Sequence, residues 1–143
     1  AIGVDARVVE VGWHVVWLDG EARGMWETVA GAVGHHRGSA YPGERGNCVL
    51  SAHSSEAGGA IFRRLNELSV GDVVQLYNFD EICYNYSVTS VLILDEAGAT
   101  AAEKREHAAW LDPTDDPVLT LVTCWPDWAY THRIIVRAAL HAP

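Results

Sequence analysis

Short runs of Val, Ile, Leu and Tyr recur along the chain, and between them fall thirteen glycines and five prolines. Glycine and proline punctuate local structure, and β-branched or aromatic runs this short suit strands better than helices. A β-rich fold of many strands joined by turns is therefore expected. The 143 residues fit one compact domain, 1–143, since no repeat or linker divides them. With 49% apolar and 20% charged residues, a real core can form.

The charge balance narrows the partners. A formal net charge of -9 gives no attraction for phosphate backbones or an anionic lipid surface, which argues against nucleic acid. Cys48, Cys83 and Cys124 are three in number, so at least one thiol is left unpaired within the chain, and none lies in a C-x-x-C spacing. No signal peptide and no apolar run of roughly eighteen residues occurs, so the chain as given is expected to be soluble, with any membrane anchor absent or trimmed.

Val4 to Val11 alternates small or apolar residues with charged ones, the period of a half-buried strand, and His14 to Leu18 ends at the Asp19-Gly20 turn signal. Together they suggest an opening hairpin or bend. Gly31 to Gly46, rich in Gly, His, Arg, Ser and Pro, reads as exposed loop. Asn47 to Ala52 is nearly uncharged, as a central strand covered on both faces should be, and it delivers His53 at its end. After the loop Ser54 to Gly59, Ile61, Leu65 and Leu68 recur at the spacing of a short amphipathic helix that ends at Gly71-Asp72.

Val73 to Tyr77 and Ile82 to Leu94 suit an antiparallel pair. Thr100 and Glu103 have the spacing of a capping box, predicting a helix that runs toward Trp110 and breaks at Asp112 to Pro117. Two strands close the chain, Val118 to Cys124 and Arg133 to Leu140.

The chemistry is concentrated where Thr120-Leu121-Val122-Thr123 ends in Cys124, followed by Trp125-Pro126. The proline stops regular strand continuation and presents the thiol where a rigid element hands over to a loop. An ordinary free thiol is only a few per cent thiolate at neutral pH, so a neighbouring cation is needed to make it a good nucleophile. His53 and Arg133 are the candidates: histidine also moves protons, and arginine stays charged and donates to a developing oxyanion. Taken singly, each has an ordinary structural explanation, a small buried hydrophobe, a core histidine, a solvated arginine. Their combination is what carries weight.

Three blocks, Asn47-Cys48-Val49-Leu50-Ser51-Ala52-His53, Thr120-Leu121-Val122-Thr123-Cys124 and Thr131-His132-Arg133-Ile134-Ile135-Val136, together resemble the sortases in order and spacing. Pro42-Gly43-Glu44 and Gly71-Asp72 extend the resemblance over most of the chain. It implies an all-β fold, a closed eight-stranded β-barrel with short helices, with the cysteine and arginine strands as neighbours. It implies a cysteine transpeptidase in which Cys124 is the nucleophile, His53 the general acid/base and Arg133 the substrate-binding and oxyanion-stabilising residue. Ser51 and Thr123 fall at positions that line the peptide groove in relatives. Arg137 shares a face with Arg133 if the strand alternates, but Arg133 matches the Thr-His-Arg start of the strand in relatives.

The implied reaction cleaves an LPXTG-like sorting signal between Thr and Gly and passes the acyl group to an amine of a peptidoglycan precursor or a pilin. Its location would be the extracellular face of the cell membrane, held by an anchor outside this sequence, and the enzyme is expected to be a monomer. No cofactor is required. Some sortases order their substrate loop with calcium, for which Asp95, Glu96 and Glu56 offer oxygen ligands, against the plainer reading of a solvated acidic loop. The stretch Asp95 to Asp116 corresponds to the loop that tunes substrate choice in the family.

Other readings belong to different classes. His35-His36 with His53 or Cys124 would make a zinc protein, although no metal-binding spacing supports it. An inactive sortase-like binding module would need a disabled site. Cys48 and Cys83 read as buried hydrophobes, with a disulfide as the minor alternative, and Trp110, Trp125 and Trp128 as packing or as an aromatic wall for a peptide.

Overall fold

The computed structural model describes residues 2–18, 20–26, 29–125 and 131–141. In chain order the strands are β1 (Val8–Val11), β2 (Trp13–Leu18), β3 (Glu21–Trp26), β4 (Val33–His36), β5 (Asn47–Ser51), β6 (Val73–Tyr77), β7 (Cys83–Asp95), β8 (Val118–Trp125) and β9 (His132–Leu140). The α-helix α1 (Ala101–Ala108) lies between β7 and β8.

Among the described residues seven strands form one sheet in the order β1-β4-β5-β8-β9-β7-β6, while β2 and β3 pair with each other in a second. The pairs β1/β4 and β5/β8 are parallel and the rest antiparallel. This corrects the expectation of a closed eight-stranded barrel: the sheet has seven strands and is open, with β1 and β6 as its edges. The physical reason is local. The run from Trp13 to Leu18 spends its ladder on Glu21 to Trp26 in a hairpin of its own, so it adds no strand to the sheet. The expected opening hairpin accordingly joins the second and third runs, not the first and second; Asp19 of its turn signal lies outside the described residues. The first strand begins at Val8, not Val4.

The open sheet still curls around a core. Val33 near one edge and Leu76 on the other belong to the same buried cluster as Leu50, Leu119, Leu121, Ile134 and Val136. At roughly 25 cal/mol per Å² of apolar surface removed from water, burial of these side chains is the main term holding the sheet together. On the opposite face a smaller cluster of Val49, Val122 and Ile135 packs with Leu92, Leu94, Trp110 and Leu111. Strand alternation explains the split, since odd-numbered residues of β5 and β9 face one way and even-numbered ones the other.

The stretch read as exposed loop contains β4, whose four residues are all buried. Its signal was masked by composition. Gly34 is needed for the close approach of β1, because a Cβ there would sit 2.9 Å from Val11 Cγ1. His35 is satisfied by the carbonyl of Ala40 at 2.9 Å and the hydroxyl of Ser39 at 3.1 Å.

The helix expected from Ile61 to Leu68 is replaced by turns and a single 3-10 turn, Leu65–Glu67. Phe62, Leu65 and Leu68 are buried nonetheless. No side-chain cap holds its 3-10 turn, whereas Thr100 caps α1, and packing of its apolar residues decides its shape. The Thr100 cap is found: its hydroxyl oxygen accepts from the Glu103 amide at 3.1 Å. The Glu103 carboxylate accepts from the Thr100 hydroxyl at 3.2 Å, where a full capping box would use a backbone amide.

Candidate active site

Cys124 and Arg133 are direct cross-strand partners in the antiparallel pair β8/β9. Partners of this kind hold their Cβ atoms roughly 4.5–5.5 Å apart on one face of the sheet. On the other side of β8, the parallel register matches Ser51 with Val122. It continues past the end of β5, because the Ala52 amide donates to the Val122 carbonyl at 3.3 Å and the Thr123 hydroxyl donates to the Ala52 carbonyl at 2.8 Å. His53 and Cys124 are thus each the next residue after a tied pair. Three neighbouring chain segments bring an imidazole, a thiol and a guanidinium to one end of the sheet.

His53 is half-buried and its carbonyl accepts from the Phe62 amide at 3.0 Å, which turns the chain back after the histidine. Cys124 is half-buried and free. Arg133 is also half-buried and has Leu94 of β7 as its other cross-strand partner.

Ser51 alternates with His53 and lies on the same face as Cys124, half-buried. Its Oγ is 2.9 Å from Nε2 of His36, a residue whose part in the site the sequence did not disclose. Burial, followed by His35 and then Arg133, lowers the His36 pKa to about 4, so its ring is neutral at pH 7. Thr123 is not brought to that face. It is 4% exposed, alternates away from Cys124, and spends its hydroxyl on Ala52.

Arg137 stands on the same face as Arg133 but at the rung of Thr120. Its Nε donates to Thr120 Oγ1 at 3.0 Å and its Nη2 to the Trp110 carbonyl at 2.8 Å, with the guanidinium 4.8 Å from the Trp110 ring centre. It fastens the 3-10 turn Ala109–Leu111 to the sheet, well away from the thiol. Trp125 packs edge-on against His132, ring centres 5.7 Å apart, one rung beyond Cys124 and Arg133. Trp128 and Pro126 lie outside the described residues.

The acidic residues considered as calcium ligands are each taken up by a protein partner. Asp95 accepts from the Gly98 amide at 2.8 Å, Glu96 pairs with His107 Nδ1 at 3.1 Å, and Glu56 pairs with Arg63 at 3.1 Å. His35 and His36, considered for zinc, are buried in β4. Among the described residues no group of three or more His, Cys, Asp or Glu is arranged to hold a metal ion. Cys48, Cys83 and Cys124 are all free thiols.

Comparison with known proteins gives the family. The family described as the sortase domain matches residues 1–141, and the chain belongs to the sortase family. It is 30% identical over 95 residues to Sortase D of Bacillus subtilis (strain 168), a match covering 66% of this chain and 41% of that protein. The chain therefore spans about two fifths of that relative. Among solved structures it is similar to a lid mutant of sortase A from Corynebacterium diphtheriae, with a TM-score of 0.66 and 25% identity over 81% of this chain and 59% of that one. It is also similar in fold to the Clostridium perfringens Sortase D5 transpeptidase, with a TM-score of 0.62 and 24% identity over 78% of this chain and 63% of that one.

Proposed function

We propose that this chain is the catalytic part of a cysteine transpeptidase that cleaves an LPXTG-like sorting signal and joins its acyl part to an amine. The observation that carries the reading is the Cys124–Arg133 rung, with Ala52–Thr123 tying the histidine segment to it. Catalytic groups held by adjacent strands and short hydrogen bonds are preorganised, so little of their ordering is left to the reaction.

In this mechanism the Cys124 thiolate attacks the carbonyl carbon between Thr and Gly. The C=O π electrons move to oxygen, and the Arg133 guanidinium donates to the resulting oxyanion. His53 as imidazolium protonates the glycine nitrogen as the C–N bond breaks, leaving a thioester on Cys124. An incoming amine then gives its proton to His53 and attacks the thioester carbon, forming the new amide and releasing the thiolate. Water in place of the amine gives hydrolysis. Ser51, on the same face of the sheet as Cys124, lines the peptide groove, and the segment from Asp95 to Asp116 sets motif preference. The natural acceptors on this reading are peptidoglycan-precursor or pilin amines, which places the enzyme at the outer face of the cell membrane. Among the described residues no helix is long and apolar enough to cross a membrane.

The test is incubation with a panel of sorting-signal peptides and an amine, with mass spectrometry of the intact protein and the products. The expected result is an acyl adduct on Cys124 and a transpeptidation product, both lost in Cys124→Ala. Product formation that persists in Cys124→Ala, or no adduct with any peptide of the panel, would refute the assignment.

A further inference from the structure

We propose that Gly58 is the seat of the His53 imidazole: a positioning residue whose missing side chain lets the ring lie where Cys124 chemistry needs it. This rests on the transpeptidase reading and adds a residue that acts through His53.

The segment after His53 folds straight back on it. A single 3-10 turn, Glu56–Gly58, is closed by the Gly58 amide on the Ser55 carbonyl at 3.2 Å and the Gly59 amide on the Glu56 carbonyl at 3.0 Å. Ala60 donates to Ser55 at 2.8 Å, Phe62 to the His53 carbonyl at 3.0 Å, and Gly31 to the Gly58 carbonyl at 3.1 Å. These bonds hold the turn from both sides, so it cannot simply swing away from the ring.

A Cβ built on Gly58 would lie 2.2 Å from His53 Cγ, 2.3 Å from its Cβ and 2.5 Å from its Cδ2. Ordinary contact begins near 3.4 Å, so any side chain at 58 must displace the base of the imidazole or the turn by about 1 Å. The backbone of Gly58 makes no such demand. Its φ is outside the left-handed region, whereas the neighbouring Gly59 has φ 94°. Alanine is therefore acceptable to the main chain at 58, and the obstacle is the His53 side chain, its Cβ as well as its ring. Gly59 is a glycine for its turn, and Gly58 is a glycine for the histidine.

Proton transfer needs donor and acceptor within hydrogen-bond reach, and a misplacement of about 1 Å costs up to about 100-fold in rate. The experiment compares Gly58→Ala, His53→Ala, His53→Gly and the double variant Gly58→Ala with His53→Gly, all in a Cys83→Ser background. It reads transpeptidation kinetics and the pH profile of iodoacetamide alkylation of Cys124, resolved by peptide mass spectrometry. Gly58→Ala is expected to lower kcat about 10- to 100-fold with KM within about twofold. Its alkylation profile should move to that of His53→Ala, and adding Gly58→Ala to His53→Gly, which leaves neither ring nor Cβ to meet, should change the profile no further.

Wild-type kcat and profile in Gly58→Ala would overturn the proposal, and so would an equal added change in the His53→Gly background, which would mean a general structural role. Wild-type kinetics for His53→Ala would instead overturn the transpeptidase reading while leaving the contact standing. Should Gly58→Ala fail to fold, the unmutated protein decides. Nuclear Overhauser contacts between Gly58 Hα and the His53 ring, with a ring-current shift of that proton lost in His53→Ala, are expected, and their absence sinks the seat.

Discussion

The hydroxyl of Thr123 donates a 2.8 Å hydrogen bond to the carbonyl of Ala52, joining the residues that immediately precede Cys124 and His53. A residue in the strand that carries the proposed nucleophile is thereby committed to holding the proposed acid/base. Thr123→Val keeps the shape and β-branching and removes only the donor. We expect a stability loss of about 1 kcal/mol, and a fall in kcat of about 3- to 10-fold with little change in KM. Denaturant titration and steady-state kinetics measure both. An unchanged kcat would show that the tie does not set the histidine.

The rung shared by Cys124 and Arg133 makes a different prediction. Lysine at 133 keeps the charge but loses the planar fork of donors, so Arg133→Lys should lower kcat/KM by about 100-fold or more, the cost of a lost oxyanion donor. Circular dichroism should be unaltered, since the residue is only half-buried. Near-normal kinetics in this variant would remove Arg133 from the mechanism.

His36 supplies a pH dependence whose sign is fixed by its environment. Its pKa is lowered to about 4 by burial, then by His35, then by Arg133, against 6.5 for an ordinary histidine. The unfolded chain therefore binds this proton more readily than the folded one. Stability from the group is complete above pH 6.5 and is lost as pH falls from 6.5 toward 4, amounting to about 3 kcal/mol across that window. His36→Gln retains an amide able to meet Ser51 and cannot titrate. The difference in unfolding free energy between pH 7 and pH 4 should thus be smaller in His36→Gln than in the native sequence. Equal losses in the two proteins would assign the acid sensitivity to other groups.

The pattern of what was legible follows from the same physics. Val73 to Tyr77 and the final two strands were readable because β-branched residues between turn signals leave few alternatives. The placement of Cys124 beside Arg133 was implied by the resemblance to the sortases, and the antiparallel register of the two closing strands produces it. β4 was not readable: Val33-Gly34-His35-His36 has neither alternation nor β-propensity, and it becomes a strand only because Val11 needs a glycine beside it and Ser51 receives a histidine. Closure of the barrel failed for a related reason, since nothing in Trp13 to Leu18 said whether it would pair with the main sheet or with the next run. Gly58 gave only the local signal of a glycine pair in a loop, and its purpose appears once His53 is in place.

Burial separates the three thiols. Cys48 is 1% exposed, and desolvation, then Glu44, raises its pKa to about 12. Iodoacetamide at pH 8 should therefore modify Cys124 and Cys83 in the folded protein and leave Cys48 unlabelled until denaturant is added. Peptide mass spectrometry after a timed quench distinguishes them. Labelling of Cys48 at the rate of Cys124 would contradict the buried position of β5.

Arg137 tests whether two arginines on one face do different work. Its guanidinium is desolvated, which lowers its pKa, and it is held by Thr120, the Trp110 carbonyl and the Trp110 ring. Asn47 backs it up, donating from Nδ2 to the carbonyls of Trp110 and Asp112 at 3.0 Å each. Truncation to Arg137→Ala leaves the Trp110 carbonyl with one partner, so the fold should survive with a loss of about 2 kcal/mol from the charged hydrogen bonds and the ring contact. What should change is the anchoring of the turn at 109–111, which belongs to the segment proposed to set motif preference. Amides of residues 109–112 should exchange faster with deuterium, and KM for the sorting peptide should rise more than kcat falls, the reverse of Arg133→Lys. A loss confined to kcat, with exchange at 109–112 unaltered, would mean that Arg137 reaches the reacting atoms and that the choice of Arg133 as the oxyanion donor was mistaken.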